Sequence, residues 1–387
     1  MDQPNSQPNP AEHNFVERGR QAAAAIAAAG LGFVGLGVAP AEAMPLKQPA
    51  PAVAEPASYE TERSMEAAST VSFERFAGED RIETANLISQ ANNPDGTYRS
   101  VLVANGYTSI DALAAGPLAA AFKSSILLSG KDSVDPRTIQ EALRATANYT
   151  EGQPRIALLG GTAAIGDNVR REFEKAGFFV SRIEGENRFA TAAEMGRRAF
   201  GSTTQSIMLA SGIEENGSYA DALIAGVAGA TSDRIGGIPT GRSEVLLTNG
   251  NKMPPETLAR IQEVQRFNPG VKIITVGDGA SDAYPNAAKA IRGGSAPSRS
   301  LRLTTEVAPG PNRGEVGFVT VGPDALTAAP HMAQRGGILV IEGKQPLEGP
   351  TKTYITSLNL RNTVIYGGTD AISDNPTTQD IHQAAAA

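Results

Sequence analysis

Short apolar runs recur along this chain, and most of them end at a glycine. The first three are VLVANG at 101–106, ILLSG at 126–130 and IALLGG at 156–161. The segments 109–122, 135–148 and 167–176, which follow these runs, have helical character. Continuous apolar strands separated by helices are typical of a parallel sheet that is covered on both faces and wound right-handed. The pattern therefore predicts an α/β fold made of small, doubly wound units.

The motifs return in the same order farther along the chain. The string RFAGEDRIETA at 75–85 reappears as RIEGENRFATA at 182–192, an offset of 107 residues. The block VLVANGYTSIDALAAG at 101–116 reappears as IMLASG at 207–212 followed by SYADALIAG at 218–226. Self-similarity at a fixed period indicates tandem structural repeats.

A third pass through the motifs is fainter but keeps their order. It contains GFVTVGPDALTAA at 317–329, GILVIEG at 337–343 and TVIYGGTDAIS at 363–373. Its opening motif is nearly lost, and only Arg302 lies near the expected place. We therefore predict repeats at 71–180 and 181–298 and a degenerate repeat at 299–383.

The beginning of the chain has the order of a secretory signal. Two arginines are followed by an apolar run at 22–38 and by the small-residue triplet Ala-Glu-Ala at 41–43. We predict a signal peptide at 1–43 and a disordered, Pro/Ala-rich linker at 44–70. No later apolar stretch is long enough to span a bilayer, which predicts a secreted protein with no transmembrane segment in its mature form.

Charge and cysteine content narrow the expected partners. Without residues 1–43 the chain carries 32 basic and 37 acidic residues, a net charge near −5. This balance argues against a nucleic-acid partner, although a local cluster of arginines can still bind an anionic polymer. The chain has no cysteine, so its stability must come from apolar cores and not from disulfides.

Taken together, the motifs resemble the cell-wall-binding repeat 2 family of exported proteins from Gram-positive bacteria. The resemblance rests on the Arg-x-x-Gly-Glu-Asp/Asn-Arg-x-x-Thr-Ala opening, the Asp-Ala-Leu-x-Ala-Gly block, the Ile/Val-Leu-Leu strand and the Gly-Gly-Thr-x-Ala-Ile closing. It implies three Rossmann-like domains packed around a pseudo-threefold axis, and non-covalent attachment to an anionic polysaccharide of the cell wall or cell surface. No segment remains for a catalytic domain, so the chain resembles an anchor without cargo.

Candidate ligand-binding residues lie in the opening motifs and after the first strand of each repeat. Arg75, Arg81, Arg182 and Arg188 suit bidentate binding of carboxylate or phosphate. The alternative, which we favour, is that they pair with nearby carboxylates and fix domain packing. Asn105, Ser109 and Asp111, with Ser211, Ser218 and Asp221, follow strand ends where open α/β sheets bind ligands. Helix capping explains the aspartates at least as well, and Asp324 keeps this carboxylate in the third repeat.

The glycine pairs that end the closing strands offer a third candidate. Gly160-Gly161 and Gly367-Gly368 can present backbone N–H groups to an anion, but the second repeat has Gly277-Asp278 at this point. A carboxylate there opposes anion binding. We therefore predict tight turns at all three places.

Sequence motifs of catalysis are scarce. A Ser-His-Asp triad would depend on His331, since His13 falls in the predicted signal peptide and His382 in the tail. There is no Gly-x-Ser-x-Gly elbow, phosphate-binding loop or cysteine nucleophile. We predict a non-catalytic protein without metal or cofactor. The alternatives left open are a hydrolase of wall glycan with a carboxylate pair and a surface protein that binds a protein partner.

Overall fold

The computed structural model describes residues 72–214, 219–231, 234–235, 238–239, 242–303, 306, 314–341, 349–356 and 361–372. They all belong to one compact unit. The predicted signal peptide and linker lie outside these ranges. Within them, no helix is both long enough and apolar enough to cross a membrane.

The described part of the chain contains three four-stranded sheets, and every strand in them is parallel to its neighbours. The first sheet consists of β2 (Ser100–Asn105), β3 (Ile126–Ser129), β4 (Arg155–Leu159) and β5 (Phe179–Ile183). The second consists of β6 (Ser206–Ser211), β7 (Ser243–Thr248), β8 (Lys272–Val276) and β9 (Lys289–Ile291). The third consists of β10 (Glu315–Val319), β11 (Ile338–Ile341), β12 (Asn362–Tyr366) and β1 (Ser72–Phe76).

Helices connect these strands. They are α1 (Arg81–Asn92), α2 (Ala115–Phe122), α3 (Pro136–Ala145), α4 (Asp167–Lys175), α5 (Arg188–Ala199), α6 (Ala220–Thr231), α7 (Pro255–Phe267), α8 (Asp278–Ala283), α9 (Ala296–Arg302), α10 (Pro323–Arg335) and α11 (Gly349–Thr356). A 3-10 turn at Ser109–Ala112 precedes α2. The helical segments predicted at 109–122, 135–148 and 167–176 are thus confirmed, and with the sheets they confirm the α/β fold of three doubly wound units.

Local sequence explains where these elements form. The apolar run Val101, Leu102, Val103 and Ala104 is fully buried, as expected for a central parallel strand covered by helices on both faces. Helix α3 begins after Asp135, whose carboxylate accepts a hydrogen bond from the Arg137 amide at 2.8 Å. A capping acid followed by proline is a typical helix start.

The third sheet closes the molecule by using the beginning of the chain. The strand orders are β3-β2-β4-β5, β7-β6-β8-β9 and β11-β10-β12-β1, so β1 takes in the third sheet the place of β5 in the first. Phe76 on β1 stacks against Tyr366 on β12 with ring centroids 5.7 Å apart. Glu74 on β1 forms an ion pair with Arg335 of α10 at 3.0 Å.

Because of this closure, the residues of each sheet do not coincide with those of one sequence repeat. The fourth strand of each sheet belongs to the opening motif of the next repeat, while the helix in that motif packs on the next sheet. Strand β5 therefore crosses the division predicted between residues 180 and 181, and α9 crosses the one between 298 and 299. We use first, second and third unit for the sheets with the helices that pack on them.

One equivalent helix from each unit lies at the centre. Helices α2, α6 and α10 each pack against the other two, as an arrangement around a pseudo-threefold axis requires. A Cβ atom at Gly116 of α2 would collide with the carbonyl oxygen of Gly226 in α6. The glycine that ends each Asp-Ala-Leu-x-Ala-Gly block thus permits close helix packing, and Ala329 takes this place in α10.

Candidate functional site

The opening motif Gly-Glu-Asp/Asn-Arg builds the start of a helix at two unit boundaries. Asp80 and Asn187 are the N-cap residues of α1 and α5, and their side chains accept hydrogen bonds from backbone amides of the first turn. The next residue, Arg81 or Arg188, is the first of the helix. The Arg81 guanidinium donates to the Gly106 carbonyl at 2.7 Å, and Arg188 donates to Gly212 at the same distance.

The earlier arginine of each motif lies on the edge strand of the preceding sheet. Arg75 donates to the carbonyl oxygen of Gly367 at 2.9 Å, and Arg182 donates to that of Gly160 at 2.8 Å. Arg182 also lies 3.3 Å from Asp167, and its side chain is only 9% exposed. Arg75 and Arg182 therefore hold the turns that end the closing strands.

Those turns have the tight geometry predicted for the glycine pairs. Gly160, Gly277 and Gly367 have φ values of 106°, 88° and 112°, a region that favours glycine. The carboxylate of an aspartate lies against each of them: a Cβ at Gly160 would be 2.8 Å from Oδ2 of Asp111, and one at Gly367 would be 2.9 Å from Oδ2 of Asp324. A methyl group at any of these positions would displace the carboxylate.

The aspartate of each unit faces an arginine of the following unit. Asp111 faces Arg188, Asp221 accepts from Nε of Arg299 at 2.6 Å, and Asp324 faces Arg81, so the pattern closes into a ring. We name the three places the first–second, second–third and third–first boundaries. They are equivalent positions in the fold, and they carry the candidate residues.

Burial raises the pKa of all three aspartates. It raises the pKa of Asp111, although Arg188 and the Gly161 amide oppose the shift. Burial likewise raises the pKa of Asp221 against the opposing Arg299, and it raises the pKa of Asp324 to about 6 against the opposing Arg81. Oδ1 of Asp324 is buried and has no hydrogen-bond partner among the described residues.

The second–third boundary differs from the other two in both arginine positions. Arg75, Arg182 and Ala290 occupy the same place in their sheets, because each pairs with the next-to-last residue of the closing strand. These partners are Ile365, Leu158 and Thr275. The first residues of α1, α5 and α9 are Arg81, Arg188 and Ala296. Both motif arginines are alanine here, and their spacing of six residues is kept.

The third opening motif is thus at 289–296, and the expectation that Arg302 marks it was wrong. Arg302 is the last residue of α9 and donates to Glu306 at 3.0 Å. The N-cap role passes to Ser295, whose hydroxyl accepts from the Ser298 amide at 3.2 Å. The motif was missed because both of its arginines are replaced by alanine. The residues that shape its backbone are kept, but they are not distinctive in the sequence.

Comparison with known proteins agrees with this repeat structure. The family model described as cell wall binding domain 2 (CWB2) matches residues 75–170 and 182–283, about half of the chain. The chain belongs to the CWB2 family. Strands β10, β11 and β12 of the third unit lie beyond these two matches, and its sheet has the same strand order as the sheets of the first and second units.

Two similar proteins are longer than this chain. N-acetylmuramoyl-L-alanine amidase LytC of Bacillus subtilis (strain 168) is 25% identical over 313 residues, which are 80% of this chain and 58% of that protein. The amidase enhancer of the same organism is 29% identical over 127 residues, 32% of this chain and 16% of that protein. This chain therefore spans little more than half the length of the amidase.

Solved structures share the CWB2 fold. Cwp8 from Clostridium difficile superposes with a TM-score of 0.67 at 20% identity, over 81% of this chain and 51% of that one. Cwp6 from the same organism superposes with a TM-score of 0.65 at 17% identity, over 85% and 50%. At these identities the likeness is one of fold.

Within the CWB2 units, some of the predicted polar residues after the first strand already hydrogen-bond to the backbone of their own unit. The Asn105 side chain donates to the Ala164 carbonyl at 2.7 Å and accepts from the amides of Tyr107 and Thr108, so it shapes the loop of its own unit. Ser109 begins the 3-10 turn that carries Asp111. Ser218 lies outside the described residues.

Two residues of the CWB2 boundaries were not predicted as site residues. Tyr107 is 65% exposed, and its ring lies under the Arg81 guanidinium with 4.9 Å between the ring centroid and Cζ. An exposed aromatic residue directly after a strand-ending glycine is the signal that would have indicated it. Arg299 was missed because it lies one helical turn after Ala296, the position equivalent to Arg188.

His331 does not suit the triad considered from the sequence. It is 2% exposed, and its Nδ1 lies 2.7 Å from the Tyr366 hydroxyl in the core of the third unit. Burial, together with the charge of Arg335, lowers the pKa of His331 to about 3, which keeps the ring neutral. This histidine has a packing role.

Proposed function

We propose that this is a secreted cell-wall-binding protein of a Gram-positive bacterium, that it attaches non-covalently to an anionic wall polysaccharide at the boundaries between its units, and that it catalyses no reaction. Membership of the CWB2 family supports binding to the wall. The predicted signal peptide supports secretion. The boundaries are favoured because they gather charged and aromatic side chains at the carboxyl ends of parallel strands.

The single observation that carries the proposal is the arrangement at the third–first boundary. There Tyr107 exposes its ring, Arg81 is exposed beside it, and Arg75 lies on the adjoining strand. The flat face of a tyrosine offers apolar contact to a sugar ring, and guanidinium groups bind phosphate or carboxylate. An anionic glycan presents both kinds of group.

The first–second boundary also has both motif arginines, Arg182 and Arg188. Arg182 lies 3.3 Å from Asp167 and 3.9 Å from Glu184, so its charge is largely balanced within its own unit. Arg188 faces Asp111. We place the main anionic contact at Arg81, because the exposed Tyr107 ring lies against its guanidinium group, and a secondary one at Arg188.

The test is co-sedimentation of the purified protein with protein-free cell walls, before and after their anionic polymers are chemically stripped, with an assay for released sugar. The proposal expects retention that is lost on stripping, with no sugar release. Tyr107→Ala and Arg81→Ala should each lower retention about tenfold, while Arg266→Ala, a change of an exposed arginine on α7, should not. No retention on any wall would overturn the proposal and favour a protein partner.

A wall-glycan hydrolase is the second candidate, because two carboxylates line one cavity at the second–third boundary. Asp221 and Asp278 both lie there, and burial, with a smaller contribution from Asp278, raises the pKa of Asp221, the direction that suits a general acid. Against it, Arg299 holds Asp221 in an ion pair at 2.6 Å. Sugar release that is abolished in Asp221→Asn would favour the hydrolase.

A further inference from the structure

A cavity of about 360 Å³ opens at the second–third boundary. Its wall includes Ser211, Tyr219 and Asp221 from the second unit and Ser295, Ala296 and Arg299 from α9 and the residue before it. The volume lies within the range of roughly 300–1,000 Å³ that is usual for small-molecule sites. The cavity is thus large enough for one or two sugar rings.

The loss of the motif arginine leaves space at this boundary. Ala296 lines it at the helix position that Arg81 and Arg188 occupy elsewhere. At those two boundaries the long side chain crosses the space and donates to a glycine carbonyl. An alanine side chain ends at Cβ, so the same backbone frame leaves the space open.

Specific side-chain contacts also hold the wall of the cavity in place. Arg299 reaches it from the next turn of α9 and fixes Asp221 at 2.6 Å, and Gly277 packs directly against the Asp221 carboxylate. Hydroxyl groups of Ser211 and Tyr219 add donors and acceptors. Several convergent polar groups in a concave site are typical of ligand binding.

The charge in the cavity disfavours an acidic ligand. Its charged lining consists of two carboxylates, Asp221 and Asp278, and one guanidinium, Arg299. Arg299 is paired with Asp221, and the 61% exposed side chain of Asp278 lies 3.9 Å from Arg292, which is not part of the lining. A second carboxylate or phosphate would be repelled by Asp278, while sugar hydroxyls can donate to it.

We propose that this cavity binds one hexose ring without an anionic substituent, a part of the wall glycan whose acidic groups lie on the arginines of the other boundaries. The proposal rests on the proposed wall-binding function and adds a division of labour between the boundaries. It gives the boundary that lacks the motif arginines a binding role of its own, because Ala296 leaves room for the sugar.

The test is ligand-observed saturation-transfer NMR with methyl α-glucoside, N-acetylglucosamine and glucuronate as probes. The native protein should saturate at least one of the two uncharged sugars, and glucuronate should respond several-fold less. Ala296→Arg restores the arginine of the other units and should weaken sugar binding at least tenfold. Equal binding by Ala296→Arg and the native protein, or preference for glucuronate, would overturn the proposal.

Two further variants guard against loss of folding. Ala259→Arg places the same new side chain on an exposed position of α7 and should bind sugar like the native protein. Asp278→Asn keeps the shape of the cavity but removes the more exposed of its two carboxylate charges, so it should narrow the difference in binding between glucuronate and the uncharged sugars. An unchanged difference would contradict the electrostatic part of the proposal.

Wall co-sedimentation in parallel separates this inference from the proposed function. If the native protein sediments with walls but sugar binding does not respond to Ala296→Arg, the cavity proposal is wrong and the wall-binding function stands. If sugar binding is lost in Ala296→Arg but the native protein does not sediment with walls, the cavity stands and the wall-binding function is wrong.

Discussion

The third–first and second–third boundaries have one backbone frame and opposite chemistry. At the first, Arg81 lies against the exposed ring of Tyr107 and faces the Asp324 carboxylate, and Arg75 lies on the adjoining strand. At the second, both arginine positions are alanine, and carboxylates outnumber guanidinium groups around a cavity. Two substitutions in a repeated motif have thus changed a filled, cationic surface into an open, slightly anionic one.

What both boundaries keep is the set of residues that shape the backbone. Each has an N-cap residue, Asp80 or Ser295, and a glycine with positive φ, Gly367 or Gly277. Each also has an aspartate whose carboxylate lies against that glycine. The difference teaches that the frame and the ligand-facing side chains can vary independently, so each boundary must be tested by itself.

The largest effect is expected from Gly277→Ala. This glycine has φ of 88°, and a Cβ would collide with the Asp221 carboxylate that Arg299 holds. We expect a loss of about 3–4 kcal/mol in the free energy of unfolding, measured by urea denaturation. Gly177→Ala is the control, since its φ is 98° but a Cβ there would meet nothing within 4 Å. A similar loss in both variants would show that the carboxylate contact contributes little.

The next effect concerns pH at the third–first boundary. Burial raises the pKa of Asp324 to about 6 in the folded protein, so the folded state binds a proton more tightly than the unfolded state does. The contribution of Asp324 to stability is therefore present below about pH 4 and is lost as the pH rises through 6, a change of about 3 kcal/mol. Asp324→Asn cannot titrate and should lack this decline.

The measurement for Asp324 is the free energy of unfolding of the native protein and of Asp324→Asn from pH 4 to 7. His331 has the opposite dependence, because its lowered pKa costs stability as the pH falls, but it is present in both proteins and cancels in their difference. The variant should gain on the native protein as the pH rises. A constant difference would mean that Asp324 is not buried as described.

A smaller effect tests the helix starts. Asn187 accepts from two amides of α5, those of Phe189 and Ala190, each at 3.0 Å, whereas Ser295 accepts from the Ser298 amide at 3.2 Å. Asn187→Ala should cost about 1 kcal/mol and Ser295→Ala about 0.5 kcal/mol in thermal unfolding. The reverse order would indicate that the alanine-bearing boundary is the more tightly built of the two.

Local pattern was enough to predict the elements and the repeats. Apolar runs such as 101–104 and capping residues such as Asp135 act within a few positions, so the strands and helices could be predicted from the sequence. The place of β1 could not, because pairing of Ser72–Phe76 with Asn362–Tyr366 joins residues almost three hundred positions apart. Neither of these short segments has a local sequence feature that indicates its pairing partner.

For the candidate site, the sequence predicted several of the residues but not the contacts between them. Arg81, Arg188, Asp111 and Asp221 were recognised because their motifs repeat in letters. That Asp111 faces the arginine of the following unit depends on packing between units, and it was not evident. Ala290 and Ala296 were missed because a motif search looks for the same amino acids. At these two positions the backbone keeps its place but the arginine side chain is lost.

The most direct test of the contrast between boundaries is the salt dependence of wall retention, measured side by side for Arg81→Ala and Ala296→Arg. We predict that Arg81→Ala weakens retention at low salt and flattens its dependence on salt, because a screened charge contact is lost. Ala296→Arg should weaken retention at every salt concentration although it adds positive charge. Stronger retention of Ala296→Arg at low salt, or the same salt response in both variants, would contradict this account.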